Sequence, residues 1–345
     1  MINAQAVTGN LSQNTMEDNK KKNYSNPVTA ILTGITDLFR KHEPAGILGD
    51  TDRFDGKTVL VDGSSSGLGF AVAVEVAKRG GRVIMACRSG IPGKGDEVKE
   101  LSGNGDIHMM PVDFSDIPSI HRLVKNIHDQ VGKIDILICN AGIVPKKSRK
   151  TPQGLEQMFM VNYLSKFIFV NLLLQENCFN LSGPVHPRIV FVASETHRDP
   201  KEFDWDSFGV YKDYTIGKSI ELYGYYKLLL TTFAVELSRR LNKDGSKYSV
   251  FALCPGPVNT NIGREAPKIF HPLMKLIFSL FFKSPVKAAI PVIYLAASPD
   301  LEGKPFEYLF LMSRREADQK AVDPENGKRL WEMSEEVASS LCSSQ

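Results

Sequence analysis

The sequence predicts an α/β fold: a doubly wound parallel sheet covered by helices on both faces, in a single domain behind an N-terminal extension. Three observations carry this. From residue 57 onward, short β-branched runs alternate with longer stretches of helical periodicity. The first run leads straight into a glycine-rich turn, DGSSSGLGF. No repeat or low-complexity linker breaks the alternation after residue 50. Parallel strands joined by right-handed crossovers then build a nucleotide-binding architecture.

The elements follow in order. TVLVDG (58–63) is a buried strand, and LGFAVAVEVAKRG (68–80) a helix stopped at Gly80 and Gly81. RVIMAC (82–87) is the second strand, DEVKELSG (96–103) a short helix and IHMMPVD (107–113) the third strand. DIPSIHRLVKNIHDQVG (116–132) is a helix with proline in its first turn. IDILICN (134–140) is the fourth strand, and a long helix is expected over about 153–178. RIVFVAS (188–194) is the fifth strand, 221–241 a helix and YSVFALC (248–254) the sixth strand. SPVKAAIPVIYLAAS (284–298) places serine at a cap and proline at the first helical position. FEYLFL (306–311) can add a seventh strand. The expected organisation is an extension over 1–50, partly disordered and partly an amphipathic helix, a nucleotide-binding domain over 51–320 and a helical tail over 321–345.

Bulk properties narrow the function. With 42% hydrophobic residues the chain can fill a full core. The net charge is +3 and no basic stripe interleaves with aromatics, so nucleic acid is not an expected partner. The five cysteines (Cys87, Cys139, Cys178, Cys254 and Cys342) form no C-x-x-C pair. That argues against a zinc site or a disulfide framework and for a reducing, cytoplasmic setting. No metal ligand set is expected. The polar first residues carry no apolar signal core, and no stretch reaches the roughly 18 apolar residues of a spanning helix.

Gly63, Gly67 and Gly69 form G-x-x-x-G-x-G between a strand and a helix. The chain must turn tightly there, its backbone must approach a pyrophosphate, and the helix start must offer free N–H groups. Ser65, Ser66 and Leu68 complete that turn. This is the first βα unit of a Rossmann-type fold, with a purely structural turn as the plain alternative. The second strand ends MACRS. A carboxylate at that place would hold the ribose hydroxyls of NAD, whereas Arg88 suits the 2′-phosphate of NADP, unless it is simply a solvated arginine. NADP is therefore favoured over NAD. Asp62, directly before the turn, is electrostatically unwelcome beside phosphate unless it points away.

The motif order resembles the short-chain dehydrogenase/reductase family, in particular its retinol dehydrogenase-like branch. The matching pieces are DGSSSGLG, ACRS, VDFSD, CNAG, VNYLSKFIFVNLLL, RIVFVAS, YGYYK followed by ELSRRL, and PGPVNT, over roughly residues 55–312. The family usually has threonine where this chain has Asp62. The resemblance implies that Asp113 lies beside the adenine, that Asn140, Ala141 and Gly142 line the coenzyme groove, and that Pro255, Gly256, Val258 and Thr260 approach the nicotinamide. It also implies that Asn162 helps maintain a proton relay of water and lysine.

Two Tyr-x-x-x-Lys pairs compete: Tyr214–Lys218 and Tyr223–Lys227. Residues four apart on a helix share one face, and an ammonium there favours phenolate, lowering the phenol's pKa. Context separates the pairs. The first contains Gly217 and lacks an apolar helix behind it, whereas LLLTTFAVELSRRL follows the second. A rigid helix holds a proton donor more exactly than a loop. The family's Tyr-x-x-Ser-Lys followed by an apolar helix is similar only to the second pair. Tyr223 and Lys227 are therefore the candidates for proton transfer, and both also face the coenzyme in the family. Tyr225 and Tyr226 are read as packing residues.

Ser194 ends the fifth strand, where doubly wound folds bind ligands, and a hydroxyl there can stabilise a developing oxyanion. The family places its serine here. His197 is read as a surface or structural residue. The 28 residues 195–222 are expected to form a loop that shapes the substrate mouth.

The expected reaction is hydride transfer between a nicotinamide and a carbonyl or alcohol carbon. Two other readings stand beside it: a coenzyme-binding regulator without turnover, and a nucleotide-sugar epimerase or dehydratase. IFHPLMKLIFSLFFKSP (269–285) points to a lipophilic substrate, and with NPVTAILTGITDLFRKH (26–42) to possible peripheral contact with a membrane. Relatives are often dimers, so a homodimer is possible.

Overall fold

The computed structural model describes residues 43–183, 185–245, 248–256 and 284–342. Eight strands form one sheet in the order β3-β2-β1-β4-β5-β6-β7-β8. The strands are β1 (Thr58–Asp62), β2 (Arg82–Cys87), β3 (Ile107–Pro111), β4 (Ile136–Cys139), β5 (Arg188–Val192), β6 (Ser249–Cys254), β7 (Phe306–Phe310) and β8 (Ser313–Arg314). All neighbours are parallel except β7 and β8. The winding reverses between β1 and β4, which pair directly; sheets of this kind bind ligands beyond the strands' C-terminal ends at that point.

The strands are nearly continuous apolar runs because both faces of the sheet are covered. Alternation along β1 shows it: Val59 and Val61 enter one core, Leu60 the other. The first core is closed by α1 (Gly67–Lys78) and α6 (Pro285–Ala297). The second is closed by α3 (Ile117–Asn126), α4 (Gln157–Gln175) and α5 (Ile216–Leu241). The short α2 (Gly93–Ser102) stands beside α1. Each fully buried aliphatic or aromatic side chain in these layers contributes about 1.5–3 kcal/mol.

Several expectations shift. The long helix begins at Gln157 rather than 153, and it widens into a π turn over Met160–Leu164. The helix expected over 221–241 begins at Ile216, because Thr215 in extended backbone ends the loop. The edge strand β8 is too short to be read from two residues. Gln157–Gln175 is long and apolar enough to cross a membrane, which the sequence reading missed. Its most apolar window is 78% buried, so it packs as a core helix here.

Both ends of the described chain engage the domain. The Ala45 N–H bonds Met312 O at 2.8 Å. The C-terminal helices α7 (Gln319–Val322) and α8 (Pro324–Cys342) lie on α5. Trp331 of α8 packs edge-on to Phe167 at 5.1 Å, and Ser334 Oγ meets Tyr163 Oη at 2.6 Å.

Candidate active site

The candidate site gathers residues that follow β1, β2, β4, β5 and β6. Gly63 follows β1 with φ +62°, in the left-handed region that favours glycine. A Cβ there would lie 2.8 Å from Ala141 Cα. One at Gly69 would lie 2.4 Å from Asn140 Nδ2 and 2.5 Å from Gly63 O. The turn is thus pressed against the segment after β4, and side chains at either glycine would force the two apart. Gly67 also has positive φ, +59°, and opens α1. Ser66 gives that helix no side-chain cap and is exposed, while Ser65 is half-buried and Leu68 is buried. The first N–H groups of α1 are left for an anion, as a pyrophosphate site requires.

Arg88, just past β2, has a 70% exposed side chain, with its guanidinium 3.9 Å from Asp113 Oδ2. Asp113 turns its Oδ1 to Ser115, whose N–H and hydroxyl donate at 2.8 and 2.7 Å. Pro255 is buried and Gly256 adopts φ +78° beyond β6. Val258 and Thr260 lie outside the described residues.

Asp62 points away from the turn. Its side chain is fully buried, and its carboxylate meets Lys166 Nζ at 2.7 Å. The electrostatic objection to an acid at this position is met by its orientation.

The other candidates converge from separate elements. Asn162, in the π turn of α4, accepts the Ile143 N–H at 2.7 Å and donates to Ile143 O at 2.9 Å. π turns recur at functional sites because they re-aim a side chain. A Cβ at Gly142 would lie 3.4 Å from Asn162 Oδ1 and 3.9 Å from Lys227 Nζ, so segment 140–143, Asn162 and Lys227 are neighbours. Lys227 is buried on α5, donates to Val192 O at 2.7 Å and sits 5.6 Å from the Tyr223 ring centroid. Burial, with the Lys166 charge next, lowers its pKa from 10.5 to about 8.

Tyr223 is partly exposed and its phenol lies near the Ser194 hydroxyl, which accepts from the Thr196 N–H at 3.3 Å and the Thr196 hydroxyl at 3.0 Å. The direction of its pKa corrects the sequence expectation. Burial raises it, helped by the Cys254 thiol, against the lowering by Ser194. Lys227 does not reverse this, since its ammonium is spent on the Val192 carbonyl and its own charged form is disfavoured.

Tyr214 belongs elsewhere. It is buried before α5 begins and donates to Glu156 Oε1 at 2.7 Å. Lys218, on the exposed first turn of α5, pairs with Glu221 at 2.6 Å. Tyr214 and Lys218 therefore share no helix face. Tyr225 binds the Asp204 backbone at 3.1 and 3.2 Å, pinning the 195–215 loop, and Tyr226 is buried.

Two features escaped sequence reasoning. Gly224 lets α5 approach the turn after Ser194: a Cβ there would stand 2.9 Å from Thr196 O. A glycine inside a helical pattern, costing about 1 kcal/mol against alanine, was the available signal. The second is a buried network under Ser194. His197, fully buried rather than at the surface, donates from Nδ1 to Ser194 O at 2.7 Å and accepts the Asp318 N–H at Nε2, 3.1 Å. Burial lowers its pKa to about 4, which keeps the ring neutral. Burial pushes the Glu195 carboxyl up, but Arg198, His197 and Arg315 hold it below its ordinary range. Tyr308 Oη also donates to it at 2.9 Å.

The fold and crevice define a dinucleotide-type α/β protein with a Ser–Tyr–Lys–Asn cluster at its switch point. The family pattern described as short chain dehydrogenase matches residues 57–204. Human retinol dehydrogenase 14 is 35% identical over 304 residues, covering 83% of this chain and 88% of that protein. Mouse retinol dehydrogenase 13 is 32% identical, covering 88% and 91%. Human polyprenol dehydrogenase is 29% identical, covering 83% and 86%. Among solved structures, an uncharacterised protein from Mycobacterium paratuberculosis superposes with TM-score 0.64 at 27% identity, covering 85% of this chain and 98% of that one. The L-sorbose reductase of Gluconobacter frateurii, complexed with NADPH and L-sorbose, shares the fold with TM-score 0.57 at 18% identity, covering 76% and 97%. The chain belongs to the short-chain dehydrogenase/reductase family, in its retinol dehydrogenase-like branch. It is accordingly an oxidoreductase of alcohol and carbonyl groups that uses a nicotinamide dinucleotide and a small-molecule substrate.

Proposed function

We propose that this chain is an NADP-dependent reductase or dehydrogenase of a lipophilic carbonyl or alcohol, with Tyr223 as the proton-transfer group. The single observation that carries the reading is the convergence of the Tyr223 phenol, Ser194 and Lys227, whose Nζ lies 5.6 Å from the Tyr223 ring centroid. The glycine turn and the uncapped start of α1 would hold the pyrophosphate, Arg88 the 2′-phosphate and Asp113 the adenosine side. Segment 140–142 and Pro255 and Gly256 would line the nicotinamide end, and the family resemblance adds Val258 and Thr260 to them. Bound there, the coenzyme supplies or accepts hydride at the nicotinamide C4.

The residues of the chain do the rest. Ser194 hydrogen-bonds the substrate oxygen as charge develops on it. Burial keeps the Tyr223 phenol protonated, so its proton is available to the forming alkoxide. Lys227, with a pKa near 8, can exchange a proton close to neutrality and replenish the phenol. Asn162 holds segment 140–143 against that lysine and would keep the relay water in place.

Lipophilicity is supported by the relatives' names, retinol and polyprenol dehydrogenases, and by the apolar stretch 269–285. Free thiols at Cys87, Cys139, Cys178 and Cys254 are consistent with a cytoplasmic setting. Peripheral contact with a membrane, and a homodimer, belong to the same proposal. So does a division into an extension over 1–50, a catalytic unit over 51–320 and a tail over 321–345.

Oxidation of NADPH and NADH against aliphatic, aromatic, steroid and retinoid carbonyls tests the function. Turnover with an apolar carbonyl and NADPH is expected, and a chain inert with every carbonyl and alcohol offered refutes the proposal. Partitioning of the full chain and of one lacking residues 1–50 onto liposomes tests the membrane contact.

A further inference from the structure

We propose that Asp62 and Lys166 form a buried positioning pair that fixes the wall of the coenzyme groove, so that the acid beside the phosphate turn acts as half of a neutral couple. The inference rests on the dinucleotide reading of the groove given above.

Asp62 is the last residue of β1 and Lys166 lies in α4; their side chains are 0% and 1% exposed. The Lys166 ammonium meets Oδ2 at 2.7 Å. The other oxygen, Oδ1, accepts the N–H of Asn140 at 2.6 Å and that of Ala141. Asn140 Nδ2 returns to the Asp62 and Gly63 carbonyls at 3.1 and 3.2 Å. One carboxylate therefore ties the phosphate turn after β1 to the groove segment after β4. The threonine usual in the family offers one hydroxyl at this place. A carboxylate accepts two N–H groups at once, but requires a counter-charge.

Lys166 stands one helical turn beyond Asn162 on α4. Asn162 grips Ile143, and Lys166 grips Asp62, which grips Asn140 and Ala141. The helix so holds both ends of segment 140–143. The Phe114 ring, 3.8 Å from the ammonium, completes the enclosure and adds a cation–π contact. Stability alone does not account for such a pair, since replacing a buried ion pair by apolar groups is often neutral. Removing one member is different. Loss of Lys166 leaves a bare carboxylate one residue from the phosphate turn, where it would repel the pyrophosphate and release the wall. The couple also reaches the candidate lysine: Lys166 pushes the Lys227 pKa down, and Asp62 opposes it more weakly.

A double-mutant cycle on the full chain tests the pair. NADPH affinity is titrated by fluorescence well below each variant's thermal midpoint, for wild type, Lys166→Met, Asp62→Thr and the double variant. Lys166→Met is expected to weaken NADPH more than tenfold, and Asp62→Thr several-fold. The double variant is expected to return to within about threefold of wild type. Losses that multiply in the double variant overturn the pairing. So does a lowered thermal midpoint with unchanged NADPH affinity, which would mark a merely structural role. If Lys166→Met does not fold, Asp62→Thr against the double variant decides, and equal affinity of those two overturns it. A wild-type chain that binds neither NADPH nor NADH overturns the groove reading, and this inference with it.

Discussion

The Tyr214 hydroxyl donates to Glu156 Oε1 at 2.7 Å, and that bond takes one of two competing tyrosines out of the active crevice. Glu156 uses its other oxygen to cap α4 at the Phe159 N–H, 2.7 Å away. Tyr214 is therefore a structural tyrosine, while Tyr223 lies on the Ser194 side. Tyr223→Phe should lower kcat by roughly 10²–10⁴-fold and leave NADPH affinity within a few-fold. Tyr214→Phe should keep turnover but cost about 1.5–3 kcal/mol of stability, the worth of a hydrogen bond to a carboxylate. Steady-state kinetics and denaturant titrations check both. Full activity in Tyr223→Phe would remove the proposed proton donor.

Lys227 gives a pH dependence with a defined sign. Its pKa in the folded chain is about 8, below the ordinary 10.5. Between these values the unfolded chain holds a proton that the native chain has released, so stability contributed by this group rises with pH across that window. Lys227→Met should lack that rise, be no less stable near neutrality and lose turnover. In the wild type, the rate of carbonyl reduction should fall as pH rises through about 8, as the lysine loses the proton it relays. A profile flat from pH 7 to 10 would contradict this assignment.

Arg88 lies exposed beside Asp113, within 3.9 Å, in a loose pair worth little to the fold. Arg88→Ala should therefore leave the thermal midpoint almost unchanged. It should weaken NADPH about tenfold or more, the scale of a charge-assisted contact to phosphate, and move NADH less than about threefold. Parallel titrations with the two coenzymes separate these outcomes. Equal losses for both would mean that Arg88 does not read the 2′-phosphate.

Gly224 offers a test of geometry alone. Alanine is the better helix former by about 1 kcal/mol. Yet its methyl would press within 2.9 Å of the Thr196 carbonyl oxygen, and the backbone must give way. Gly224→Ala should shift Tyr223 against Ser194 by a few tenths of an ångström and reduce kcat about tenfold or more, with coenzyme affinity preserved. Unchanged kcat would show that the close packing of helix on turn is immaterial to the chemistry.

The strands, their alternation with helices and the nucleotide-type turn were legible in the residues alone. These depend on local pattern: period-two and period-3.6 burial, and glycine where the backbone admits nothing else. The sequence offered Ser194, Tyr223 and Lys227 as candidates, but the four-residue spacing fits Tyr214–Lys218 equally, and the choice came from the apolar helix after Lys227 and the resemblance to the family. What it left open depended on partners far along the chain. Only the folded structure, setting β1 beside β4 and α4 beneath both, turned Asp62 inward onto Lys166, 104 residues away. Only packing brought Gly224 against Thr196, buried His197 beneath Ser194 and started α5 at Ile216, leaving Tyr214 off the helix. The direction of the Tyr223 pKa was decided there as well. A lysine four residues away is visible in sequence, but the desolvation that outweighs it comes from neighbours that only the tertiary fold assembles.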